Sequence, residues 1–128
     1  MIYLDSSVVL ARILVKDRRP PPSLWQQSLF SSRLLEYEVW VRLNARDLHR
    51  SHGNVASALI NRVTFVELKP AVLERALEPF PLPVRTLDAL HLASLEFLRG
   101  RSQTVELASY DERLTVAARA LGIPLVAL

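Results

Sequence analysis

The sequence predicts a three-layer α/β/α domain, with a central, mainly parallel sheet of about five short strands flanked by helices. Short apolar, β-branched runs alternate with helical runs along the whole chain. The helical stretch 86–98 is apolar on nearly every side, as a helix buried in the middle of a domain must be. A length of 128 residues and a hydrophobic fraction of 50% suit one domain with a real core.

Ile2-Tyr3-Leu4 forms the first strand and ends at Asp5, and Ser6 to Leu14 reads as a helix with Asp5 or Ser6 as cap. Residues 16–22 make a charged, proline-rich loop. Ser23 to Gln27 is a short helix and Leu29 to Ser31 a short strand. A long helix runs from Arg33 to His49, and Gly53-Asn54 separates it from a further helix, Val55 to Arg62. Thr64 to Leu68 is a β-branched and aromatic strand ended by Lys69-Pro70. Ala71 to Glu78 is helical, and Pro79, Pro81 and Pro83 stiffen the loop after it. Thr86 caps a helix to Leu98 that Gly100 ends. Thr104 to Ser109 is a strand, Glu112 to Leu121 a helix stopped by Gly122, and Ile123 to Ala127 the last strand.

Composition excludes several chemistries. There is no cysteine, so disulfides, thiolate metal sites and thiol nucleophiles are absent. The N-terminal stretch has no basic region and meets an acid at Asp5, unlike a signal peptide. No apolar run is long enough to span a bilayer, so a cytoplasmic location without membrane association is expected. Of 16 basic residues only Lys16 and Lys69 are lysine, leaving 14 arginines. Arginine suits bidentate phosphate contacts, although base composition of the genome also enriches it. A net charge of +3 does not indicate a protein that coats nucleic acid.

The placement of acids is more informative. Ligands bind beyond the carboxyl ends of parallel strands. Asp5 follows the first predicted strand and Asp111 the fourth, so both belong at one sheet edge, although each could simply cap a helix. On the long helix, Leu34, Tyr37, Val41, Ala45 and Leu48 form an apolar stripe. Glu36 points away from it, whereas Glu38 lies at its border and needs a partner, for which Arg42 at the i,i+4 spacing is one candidate. Asp88 falls in the first turn of the buried helix, where the helix dipole alone would favour it. His91, one turn later, reads as a buried structural histidine rather than a ligand or base. Carboxylates gathered at one sheet edge repel unless a cation lies between them, and oxygen-only ligands suit Mg²⁺ or Mn²⁺. Acids, a cation and rim arginines outline a phosphodiester hydrolase.

Four ordered segments resemble the PIN-domain family, in particular the VapC-like toxins of type II toxin–antitoxin pairs. They are Ile2 to Leu10, Ser32 to Val39, Arg85 to Ala93, and Ala108 to Leu114 followed by Ala117 to Gly122. The resemblance implies a single PIN-like nuclease domain over residues 1–128. It makes Asp5, Glu38, Asp88 and Asp111 a catalytic and metal-binding acidic quartet, with Ser6 and Ser109 as supporting hydroxyls. It further implies Mg²⁺- or Mn²⁺-dependent RNA cleavage, homodimerisation and neutralisation by a cognate VapB-like antitoxin. Arg42, Arg85 and Arg113, close to the acids in the chain, are candidate RNA contacts. Two other classes compete. One is a catalytically silent RNA- or protein-binding regulator of the same fold. The other is a phosphoacceptor receiver domain, suggested by Lys69-Pro70 but lacking an acid pair at the first strand.

Overall fold

A computed structural model describes residues 1–14, 18–101 and 104–128. The chain alternates strands and helices: β1 (Ile2–Leu4), α1 (Ser6–Leu14), a 3-10 turn (Pro22–Gln26), β2 (Leu29–Ser32), α2 (Leu34–Ala45), α3 (His49–Ile60), β3 (Val63–Val66), α4 (Pro70–Ala76), α5 (Thr86–Arg101), β4 (Glu106–Ala108) and α6 (Glu112–Ala120). Lys16 and Asp17 of the expected charged loop lie outside the described residues.

The four strands are all parallel, in the order β3-β2-β1-β4. Tyr3 at the centre of β1 is flanked by Phe30 and Leu107. Alternation of side chains across the sheet sends Ile2 and Leu4 into one core and Tyr3 into the other. The first core packs against Val8, Val9, Leu35, Val39 and Ala56 of α1 to α3. The second packs against Leu92, Leu95, Leu114 and Ala117 of α5 and α6. The result is a sheet covered on both faces, as parallel strands require. After β1 the chain winds outward through β2 and β3, then returns to place β4 on the other side of β1. The switch point of this PIN-like sheet therefore lies between β1 and β4.

Several local expectations are corrected. The last strand shrinks to one bridge, Leu107 to Leu125, because Pro124 removes a donor from the segment. The long helix ends at Ala45, and the chain turns at Arg46-Asp47-Leu48, with Asp47 in the left-handed region at φ 56°. Gly53 and Asn54 sit inside α3 and break nothing. Gly100 likewise lies within α5, which runs on to Arg101. The buried stripe of α2 is Leu35, Val39 and Leu43, while Tyr37 and Val41 are 63% and 65% exposed. Apolar residues line both sides of this helix, and packing in the core selects the side that carries Leu35, Val39 and Leu43. The backbone N–H of Leu34 bonds the buried Ser32 hydroxyl at 3.2 Å.

Candidate active site

Asp5, Glu38, Asp88 and Asp111 line one cleft of about 460 Å³, at the carboxyl edge of the sheet beside the switch point. Four different elements supply them. Asp5 ends β1, Glu38 projects from α2, Asp88 stands in the first turn of α5, and Asp111 precedes α6.

Asp5 is almost fully buried. Its side chain does not cap α1. Oδ2 instead accepts hydrogen bonds from the hydroxyls of Ser7 at 2.6 Å and Ser109 at 2.7 Å. Each hydroxyl accepts in turn from a backbone N–H: Ser7 from Tyr110 and Ser109 from Asp111, both at 2.9 Å. Two relays thus run from the loop after β4 to one carboxylate oxygen, and charge-assisted bonds of this kind are the strong ones. Ser6 lines the cleft, but the hydroxyl that bonds Asp5 is that of Ser7, a residue the sequence reading passed over. Adjacent hydroxyls at a strand-to-helix turn were the available signal, but it does not say which one turns inward.

Asp111 does cap its helix. Oδ1 accepts from the backbone N–H groups of Arg113 and Leu114. Glu38 finds its partner on another helix rather than in Arg42: Oε1 lies 2.7 Å from His91 Nε2. His91 is buried, and its Nδ1 meets the Tyr3 hydroxyl at 2.7 Å. Burial lowers the pKa of this imidazole, but the hydrogen bond and charge of Glu38, with Asp5 and Asp88 behind it, outweigh that and raise it overall. His91 also lines the cleft, so it touches the site that the sequence reading left it out of. Its position one turn after Asp88, on one helix face, was the signal for it. Burial pushes the Tyr3 phenol far above its ordinary range and keeps it protonated.

Burial also raises the carboxyl of Asp88, and the charges of Asp111 and Asp5 raise it further against the opposing pull of Arg85 and His91. Asp88 is therefore near enough to feel both Asp5 and Asp111. Glu36, by contrast, pairs with Arg33 at 3.2 Å outside the cleft, and Arg33 also holds Glu67 at 2.6 Å. Arg42 and Arg18 line the cleft with the acids. Arg85 and Arg113 line a neighbouring groove of about 450 Å³, between the proline loop and α6, that shares Asp88 with it.

Among the described residues, no three His, Asp or Glu side chains form a ready-made cage for an ion. The donor set nevertheless fits an open site. The recorded bonds to Asp5, Glu38 and Asp111 each engage one carboxylate oxygen, Oδ2, Oε1 and Oδ1 respectively. Among the described residues no hydrogen bond engages the second oxygen of any of the three, which leaves it for a cation. A hard cation that keeps several waters needs only one or two carboxylates.

No protein-family model matches the chain. It is similar to Ribonuclease VapC46 of Mycobacterium tuberculosis, with 32% identity over 136 residues, 98% of this chain and 96% of that protein. Ribonuclease VapC35 of the same organism is 27% identical over 133 residues, 99% of this chain and 96% of that protein. With this full-length likeness and the parallel PIN-like sheet together, the chain belongs to the VapC family.

Proposed function

We propose that residues 1–128 form a single nuclease domain, a metal-dependent endoribonuclease that acts as the toxin of a toxin–antitoxin pair. The observation that carries this reading is the meeting of Asp5, Glu38, Asp88 and Asp111 in one cleft at the switch point. The names of its ribonuclease relatives support it.

Asp5 and Asp88 would hold Mg²⁺ or Mn²⁺, with Glu38 and Asp111 beside them. The bound ion would supply Lewis-acid activation of water and offset charge on the phosphodiester. The protein supplies the rest. Ser7 and Ser109 hold Asp5 by Oδ2, which would leave Oδ1 for the ion. Asp111 is held by the first turn of α6. Arg42 within the cleft, and Arg85 and Arg113 in the adjoining groove, would bind the RNA backbone on either side of the acids. A cognate VapB-like antitoxin, a homodimeric assembly and a cytoplasmic setting complete the proposal.

Incubation of purified protein with RNA, with and without Mn²⁺, tests it. Cleavage should require the metal and vanish in folded Asp5→Asn and Asp88→Asn proteins. Glu36→Gln should cleave normally, because Glu36 lies outside the cleft on Arg33. Undiminished cleavage by folded Asp5→Asn protein would reject the mechanism. Metal-independent RNA binding that survives loss of all four acids would favour a silent regulator.

A further inference from the structure

Glu38 reaches the cleft from the partly exposed rim of α2, and a free glutamate there would populate several rotamers. It is instead tied to a hydrogen-bonded chain whose direction can be read. The backbone N–H of Ser32 donates to the Tyr3 hydroxyl at 3.1 Å. That hydroxyl lies 2.7 Å from His91 Nδ1. The carboxylate that faces Nε2 can only accept, so in the neutral ring Nδ1 carries no proton and accepts from the phenol. The ring's own proton then sits on Nε2, 2.7 Å from Glu38 Oε1. His91 is 1% exposed and packs edge-on against Tyr3, with ring centroids 5.8 Å apart and planes at 83°. The ring is fixed by packing as well as by its two bonds.

We infer that His91, oriented by Tyr3, is a positioning residue that holds the Glu38 carboxylate by Oε1 and leaves Oε2 directed to the cleft. The chain joins β2, β1, α5 and α2, so the sheet sets the position of an acid on an outer helix. An Nε2–H donor exists in both the neutral and the protonated ring, so the hold on Glu38 does not depend on titration. This function for His91 rests on the metal-dependent nuclease reading, whereas the direction of the hydrogen bonds does not.

The first test is ¹⁵N NMR of His91 in metal-free wild-type protein at alkaline pH. The Nε2–H tautomer is expected, and a ring protonated on Nδ1 would overturn the inference whether or not the protein cleaves RNA. The second is a mutant cycle read by Mn²⁺ calorimetry and by cleavage kinetics. His91→Leu should weaken Mn²⁺ binding and lower kcat by about tenfold each, with little change in KM. His91→Gln, which keeps an N–H donor, should recover most of both. In a Glu38→Gln background, His91→Leu should cost nothing further. An equal loss in both backgrounds, or full kcat and Mn²⁺ affinity in folded His91→Leu protein, would show that His91 does not act through Glu38. If His91→Leu does not fold, Tyr3→Phe removes the orienting hydroxyl alone and should lower Mn²⁺ affinity by a few-fold. Unchanged affinity there counts against the inference. Wild-type protein that neither binds Mn²⁺ nor cleaves RNA would instead fail the nuclease reading, with the tautomer still deciding the hydrogen-bond chain.

Discussion

The carboxylate of Asp5 and the hydroxyl of Ser109, 104 positions apart in the chain, meet at 2.7 Å across the ends of β1 and β4. Ser7 bonds the same oxygen at 2.6 Å. One oxygen of Asp5 is therefore saturated by the protein. Loss of either hydroxyl frees the carboxylate to rotate and leaves a backbone N–H, of Tyr110 or Asp111, without its partner. Ser7→Ala and Ser109→Ala should each cost about 1–3 kcal/mol of stability and at least about tenfold in cleavage rate. Ser6→Ala should change both far less. Chemical denaturation and single-turnover cleavage of the three variants check this, and a Ser6→Ala effect equal to that of Ser7→Ala would refute it.

Two groups give the metal-free protein a common pH response. His91 has a folded pKa above its ordinary 6.5, so its contribution to stability is complete below that value and is lost as pH rises through the folded pKa. Asp88 is also raised, chiefly by burial and then by Asp111 and Asp5. Its native state likewise holds a proton that the unfolded chain releases from about 3.8 upward, so it too loses stability as pH rises through its window. Metal-free protein should therefore melt at a higher temperature in mildly acidic than in mildly alkaline buffer. A divalent cation that binds the ionised acids should raise Tm most at the alkaline end. Thermal scans with and without Mn²⁺ read both effects. A Tm that climbs with pH in chelator would contradict the assignment.

That Asp5 and Asp111 share one end of the sheet is legible in the sequence, because Asp5 directly and Asp111 closely follow short apolar runs, and parallel strands all end on one edge. The alternation of runs likewise reveals the layers. Partners that come from distant segments are not legible. Asp5 reads as a helix cap until Ser109 is brought beside it by the pairing of β1 with β4. Glu38 reads as half of a local pair with Arg42 until α5 places His91 against it. Helix α2 misleads for a different reason. Leu35 and Val39 on one side, and Tyr37 and Val41 on the other, make two apolar stripes of equal local merit, and only packing on the sheet selects the first. The glycine at position 53 looks like a helix end because glycine is a poor helix former. It stays within the helix, where the indole of Trp40 from α2 crosses close to it.

That crossing yields a stability prediction. A Cβ on Gly53 would lie 3.2 Å from Cη2 of Trp40. Glycine inside a helix ordinarily costs roughly 0.5–1 kcal/mol relative to alanine. Gly53→Ala should forfeit this gain to the tight contact with the indole, leaving stability unchanged or lower. The gain of roughly 0.5–1 kcal/mol should emerge when Trp40 is first replaced by the smaller Phe. Urea denaturation of the two single variants and the double variant closes the cycle. Stabilisation by Gly53→Ala alone, to the full extent of helix propensity, would mean that α2 and α3 do not pack this closely.

Arg85 and Arg113 both line the groove that shares Asp88 with the acid cleft. If RNA lies along it, each guanidinium displaces a counterion from the backbone, so binding depends on salt. For single strands, each lost phosphate contact should reduce the slope of log affinity against log salt by about 0.7. Arg85→Ala and Arg113→Ala should each do so, and weaken binding to a similar degree whatever the RNA sequence, because backbone contacts carry no base information. The measurement belongs in an Asp5→Asn background, where RNA binds without being cut. Glu36→Gln serves as the comparison, since its carboxylate is engaged by Arg33 away from both grooves. A slope unchanged by both arginine substitutions would place the RNA elsewhere and leave the arginines that line the acid cleft itself, Arg18 and Arg42, to hold it.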